Sequence, residues 1–239
     1  MNVLTIPQAP SLKMERRLLA LDSLFEGGRM FVGATSAMYL LSRGITLSDL
    51  AFIKSVQAVT VFLGEIPSGL VADSIGRKGS LLIALGCSIT GFLLFAIGQS
   101  LPVFLFAEIM TALALCFWSG AYESYSIEAA SLESDNKQLN AFFHKNQALN
   151  SLIIAICGLI GGWLGNVWLG LPYLSATLSA ALAIALLVFS LPAETKIEEN
   201  KKPKSVLQFF SSIGFHLKQS FKQGILDPKC LPIFCTAVS

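Results

Sequence analysis

Glu26 and Arg29 stand three positions apart within a largely apolar stretch, and Asp22, Gly33 and Ser36 share their side of a helix. Steps of about 100° per residue place all five in one narrow stripe. A carboxylate and a guanidinium at i, i+3 can partly neutralise each other. Lys54, Glu65 and Ser68 form a second polar face, and Glu108, Ser119 and Tyr122 a third. Charges on helical faces of this kind suit the binding of a solute or a proton. Glu26, Arg29, Glu108 and Tyr122 are the candidate pathway residues, with Gln57 beside them, whereas Lys54, Asp22 and Glu123 read as end residues reaching an interface. Bond-making chemistry has little support. His144 and His216 are isolated, no Ser/His/Asp arrangement is present, and no phosphate-cradling glycine loop precedes a helix. Cys87, Cys116, Cys157, Cys230 and Cys235 lack metal-ligand spacing, so neither a metal nor another cofactor is expected.

The elements that carry these residues are apolar throughout. Hydrophobic residues make up 54% of the chain and charged residues 13%, against about 25% charged in an ordinary soluble domain. So few charges cannot coat a water-soluble surface, and nucleic-acid binding is excluded with them. A bilayer core of roughly 30 Å needs about 20 mostly apolar residues per helix. Six stretches meet that length, at 18–41, 50–72, 80–98, 102–126, 146–168 and 172–192, which predicts an all-α integral membrane protein. Arg29, eleven residues into the first, falls near the middle of the bilayer. A central Arg costs about 2.5–3.5 kcal/mol on insertion scales, so its stripe must face protein or a polar cavity.

Orientation follows from the connecting segments. With the N-terminus inside, thirteen Lys and Arg residues lie on the cytoplasmic side and Arg43 alone lies outside. The expected layout is a cytoplasmic N-terminus (1–17), a six-helix bundle (18–192), a cytoplasmic central-loop segment (193–225) and the truncated start of a seventh helix (226–239). The membrane is expected to be a plasma or bacterial inner membrane.

Between the second and third spans stand Gly69-Leu70-Val71-Ala72-Asp73-Ser74-Ile75-Gly76-Arg77-Lys78, preceded by Glu65-Ile66-Pro67-Ser68. Gly69 removes a side chain where another helix could pack, Gly76 permits a tight turn, and Arg77 with Lys78 favours the cytoplasmic side. This segment resembles the signature loop of the major facilitator superfamily, and the resemblance extends over nearly the whole chain. Ser74 stands where the family usually has a basic residue, and Glu108 where it often has a proton-linked arginine. Gly158, Gly161, Gly162 and Gly165 in the fifth span resemble, without its proline, the glycine-rich segment of drug-extruding antiporters, although close helix packing accounts for them equally well.

The resemblance implies the N-terminal six-helix half of a transporter, built as two inverted three-helix repeats and working by alternating access. It implies that Gly69, Asp73, Gly76, Arg77 and Lys78 latch this half to a second one. The expected function is secondary transport of a small solute, with proton-coupled efflux as the favoured form and Glu26 as the proton carrier. Its partners are the bilayer, an unidentified substrate, protons, and a missing C-terminal half or a second copy. The alternatives are a truncated product that transports nothing and a half-size subunit that must oligomerise.

Overall fold

The computed structural model describes residues 12–129 and 136–191, all within one compact unit. Among them are seven helices and no strand: α1 (Leu12–Gly33), α2 (Ser36–Ser42), α3 (Leu47–Ile75), α4 (Arg77–Ile97), α5 (Leu101–Ala129), α6 (Asn136–Val167) and α7 (Leu171–Ser190). Residues 1–11, the central-loop segment 193–225, the expected seventh-helix start at 226–239, and Cys230 and Cys235 lie outside the described residues.

Among the described residues five helices, α3 to α7, are long and apolar enough to cross a membrane. The expected first span differs in two ways. Asp22, Glu26 and Arg29 dilute its apolar character, and the expected continuous helix 18–41 is broken at Ala34 and Thr35 into α1 and α2. Gly33 and the β-branched Thr35 are weak helix formers, and the Thr35 amide turns back to the Val32 carbonyl at 3.0 Å. The remaining boundaries follow local chemistry. Thr46 and Asp49 form a reciprocal capping box that starts α3. The expected loop from 73 to 79 shrinks to Gly76 alone, whose φ of 89° and ψ of 155° suit only glycine. Arg77 and Lys78 therefore open α4. The expected loop from 127 to 145 is shorter too, because α6 starts at Asn136, where the polar residues Lys137, Gln138 and Asn140 continue a helix without being apolar.

The packing has an internal symmetry. α5 lies against α3 and α4, α1 lies against α6 and α7, and α4 meets α7 between the two groups. Exchanging α1 with α5, α3 with α6 and α4 with α7 maps this pattern onto itself. That is the arrangement of two three-helix repeats that have exchanged their first members, each pairing with the last two helices of the other. One core cluster includes Leu21, Phe25, Leu85, Trp118, Tyr122 and Leu187, and a second includes Tyr39, Ile53, Phe95, Phe104 and Tyr173. Large apolar side chains also point outward, Phe62, Leu159 and Phe189 among them, with Phe189 86% exposed. A water-soluble monomer avoids a continuous apolar exterior of this kind.

Candidate substrate cavity and signature turn

Two ion pairs stand at one cavity. Arg29 Nη1 donates to both carboxylate oxygens of Glu26, at 3.0 and 2.9 Å, and its guanidinium lies 5.8 Å from the centre of the Phe25 ring. Lys54 Nζ donates to Glu108 Oε1 at 2.6 Å. The cavity, about 230 Å³, is lined by Arg29, Lys54, Gln57, Glu108, Thr111 and Tyr173, together with Gly33, Ser36 and Ser88. Its polar groups come from α1, α2, α3, α4, α5 and α7, while Phe92 and Phe95 supply an apolar wall. The arrangement can offer a solute N–H donors, a carboxylate and aromatic surface together.

The expected site residues separate into three places. Arg29 and Glu108 face the cavity, and Glu26 braces Arg29. Tyr122 does not face it. Its hydroxyl donates to the Leu18 carbonyl at 3.1 Å, deep in the contact between α5 and α1. Of the residues expected at an interface, Asp22 is buried, and Lys54, though half-exposed, is paired within the bundle. Lys54 sits two turns inside α3 and pairs with Glu108 across the cavity, because α3 begins at Leu47. Asp22 is 5% exposed and accepts hydrogen bonds from Trp118 Nε1 at 3.0 Å, Asn146 Nδ2 at 2.7 Å and Asn150 Nδ2 at 2.6 Å. Sequence reasoning missed Asn146 and Asn150, although two asparagines at i, i+4 in an apolar helix were the available signal.

The signature turn lies elsewhere. Asp73 falls in the last turn of α3. Arg77 Nη1 donates to the Ser124 carbonyl at 3.0 Å, and Lys78 Nζ donates to the Leu191 carbonyl at the end of α7 at 2.8 Å. Arg17 Nη1 reaches the neighbouring Ser190 carbonyl at 2.7 Å. Two cations thus meet the carbonyl end of α7, where the helix dipole favours positive charge. Gly69 and Arg77 line a second cavity of about 310 Å³ with Glu65, Ser68 and Ser119. A Cβ at Gly69 would meet no atom within 4 Å, so no helix of the described unit packs closely there.

The four glycines of α6 divide by face. A Cβ at Gly161 would collide with the Phe31 backbone, and one at Gly165 would come 2.6 Å from Thr35 Cγ2. Gly158 and Gly162 face open space. Gly27 completes the crossing from the α1 side, against Ile153 and Cys157. Small residues let two helix backbones approach where side chains would hold them apart.

A bundle of long apolar helices enclosing a charged cavity defines a polytopic membrane protein of the solute-transporter class. Residues 23–238 match the sequence profile of the Major Facilitator Superfamily, and the chain belongs to that family. It is an integral membrane protein, and its family is one of membrane transporters. Comparison with curated proteins gave no match.

Proposed function

We propose that this bundle is one half of a secondary transporter that moves a small solute by alternating access, with the cavity at Arg29, Lys54 and Glu108 forming one wall of the central site. The observation that carries the reading is the convergence of two ion pairs and several neutral polar groups from six helices on one cavity in an apolar bundle. Intramembrane charges default to substrate or ion pathways, since leucine would serve a purely structural bundle better. The lysine and arginine bias supports a cytoplasmic N-terminus. The glycine-lined crossing of α1 and α6 is compatible with efflux, and Glu26 remains a candidate proton carrier. The outward apolar faces of α3 and α6 fit packing against lipid and a further six-helix half. A second copy of this chain is the other partner those faces would accept.

The test is flux in membrane vesicles that contain the full chain, with a panel of amino acids, organic acids and lipophilic cations. Glu108→Gln and Lys54→Met should each abolish the flux of the transported compound at unchanged membrane abundance. Flux unaffected by both substitutions would remove the cavity from the pathway.

A further inference from the structure

Arg29 brings an unused hydrogen-bonding edge to the cavity. Both of its bonds to Glu26 leave one nitrogen, Nη1, and among the described residues Nε and Nη2 reach no acceptor. A guanidinium presents five N–H donors in a fixed fork, and that fork matches the two oxygens of a carboxylate. Glu26 therefore neutralises Arg29 without covering its carboxylate-binding side. Two hydroxyls on the same wall are also unclaimed. Ser88 and Tyr173 line the cavity at 2% and 1% exposure, and neither side chain hydrogen-bonds to a described residue. Buried hydroxyls ordinarily have a partner, and a polar solute in the cavity would supply one.

Lys54 and Glu108 supply the complementary half. Glu108 is 3% exposed and fixed in the wall, whereas Lys54 is 50% exposed and carries its ammonium on a flexible stem. The cation at Glu108 is thus the partner that can swing away into water, and a solute ammonium can take its place at equal charge. Charge balance then selects among solutes. Glu26, Arg29, Lys54 and Glu108 sum to zero, and a low-dielectric cavity penalises any charge left unmatched. A monocarboxylate would add one negative charge, a simple amine one positive charge, and a phosphate monoester nearly two negative charges. A solute with one carboxylate and one ammonium adds none.

We propose that the cavity recognises a zwitterionic amino acid with an apolar side chain. The carboxylate of the solute takes the Nε and Nη2 edge of Arg29, its ammonium replaces Lys54 at Glu108, and the released Lys54 turns to the carboxylate. Positive and negative groups then alternate, and the total stays at zero. Phe92 and Phe95, which line the same cavity, face the apolar side chain. Lys54 is in these terms a tethered stand-in for the ammonium of the solute, holding Glu108 neutralised until the solute arrives. This solute class rests on the cavity being the transport site, as proposed above.

The experiment is thermal unfolding of the full chain in detergent with two matched sets of probes. Leucine is compared with isoamylamine and isocaproate, and phenylalanine with phenethylamine and hydrocinnamate, so that each set keeps one carbon skeleton and removes one charged group at a time. The rise of Tm with probe concentration gives an apparent Kd. At least one of the two amino acids should bind about tenfold or more tightly than both its amine and its acid, a difference of about 1.4 kcal/mol. Two variants should move the preference in opposite directions. Lys54→Met leaves the cavity one charge negative and should favour the amine over the amino acid, whereas Glu108→Gln leaves it one charge positive and should favour the acid. Where a variant fails to fold, the ranking in the parent chain decides alone. An amine or acid that matches its amino acid in the parent chain, binding of neither amino acid, or a folded variant with unchanged preference would each overturn the proposal. The transport reading is judged separately: an organic acid or lipophilic cation whose flux is lost in Lys54→Met would keep the cavity on the pathway while removing the amino acid as its solute.

Discussion

Lys54 Nζ sits 2.6 Å from Glu108 Oε1, but the two side chains occupy different surroundings: Lys54 is 50% exposed and Glu108 only 3%. The asymmetry makes the consequences of breaking the pair unequal. Lys54→Met strands a buried carboxylate and should destabilise the bundle by about 1.5–3 kcal/mol, the range for a lost hydrogen bond to a charged group. Glu108→Gln leaves a lysine that can reach solvent and should cost roughly 1 kcal/mol. The double substitution should recover part of the Lys54→Met loss. Thermal unfolding in detergent checks the order, and equal losses would contradict it.

Gly161 and Gly158 predict opposite results from the same substitution. Gly161→Ala drives a methyl into the Phe31 backbone and should destabilise by about 1–3 kcal/mol or more, the overpacking range. Gly158→Ala meets nothing and should stay within about 0.5 kcal/mol of the parent. Melting curves of the two proteins side by side decide the matter.

Gly76 is the hinge residue between α3 and α4. Its backbone angles belong to a region that other residues enter at about 1–3 kcal/mol. Gly76→Ala should lower stability by that amount, and Gly69→Ala, where space is open, should not. Denaturant titration of both variants provides the measurement.

Much of this architecture was legible in sequence, because a bilayer-length apolar run admits few alternatives. The last five expected spans overlap α3 to α7, with α6 starting ten residues before its expected span. What escaped notice was decided by pairing between distant helices. Lys54 looked like an end residue because the polar segment up to Asp49 suggested a loop, yet Asp49 closes a capping box with Thr46 and places Lys54 two turns inside the helix. Asp22 looked peripheral because its partners, Trp118, Asn146 and Asn150, lie about a hundred residues away and are uncharged. The break at Ala34 and Thr35 was hidden for a similar reason: both residues are small enough to read as part of an apolar run. The signature turn, by contrast, was visible in sequence because Gly76 answers to backbone geometry alone.

Lipid contact offers a further check. Trp163 is 67% exposed and Trp118 4%. Brominated acyl chains should quench Trp163 strongly and leave Trp118 nearly untouched in single-tryptophan variants. Equal quenching would contradict the assignment of outward and inward faces.

The exchange of first helices has a consequence for how the molecule is made. α1 emerges from the ribosome first, but its extensive neighbours, α6 and α7, are synthesised last. Contacts between chain segments so far apart are slow to close. Until Asn146 and Asn150 arrive, Asp22 lacks two of its three donors, so the nascent first helix must wait beside the insertion machinery with a charge still unmatched. The order of synthesis thereby sets the order of assembly: α3, α4 and α5 close first, and the opening helix is captured only as translation of the bundle ends.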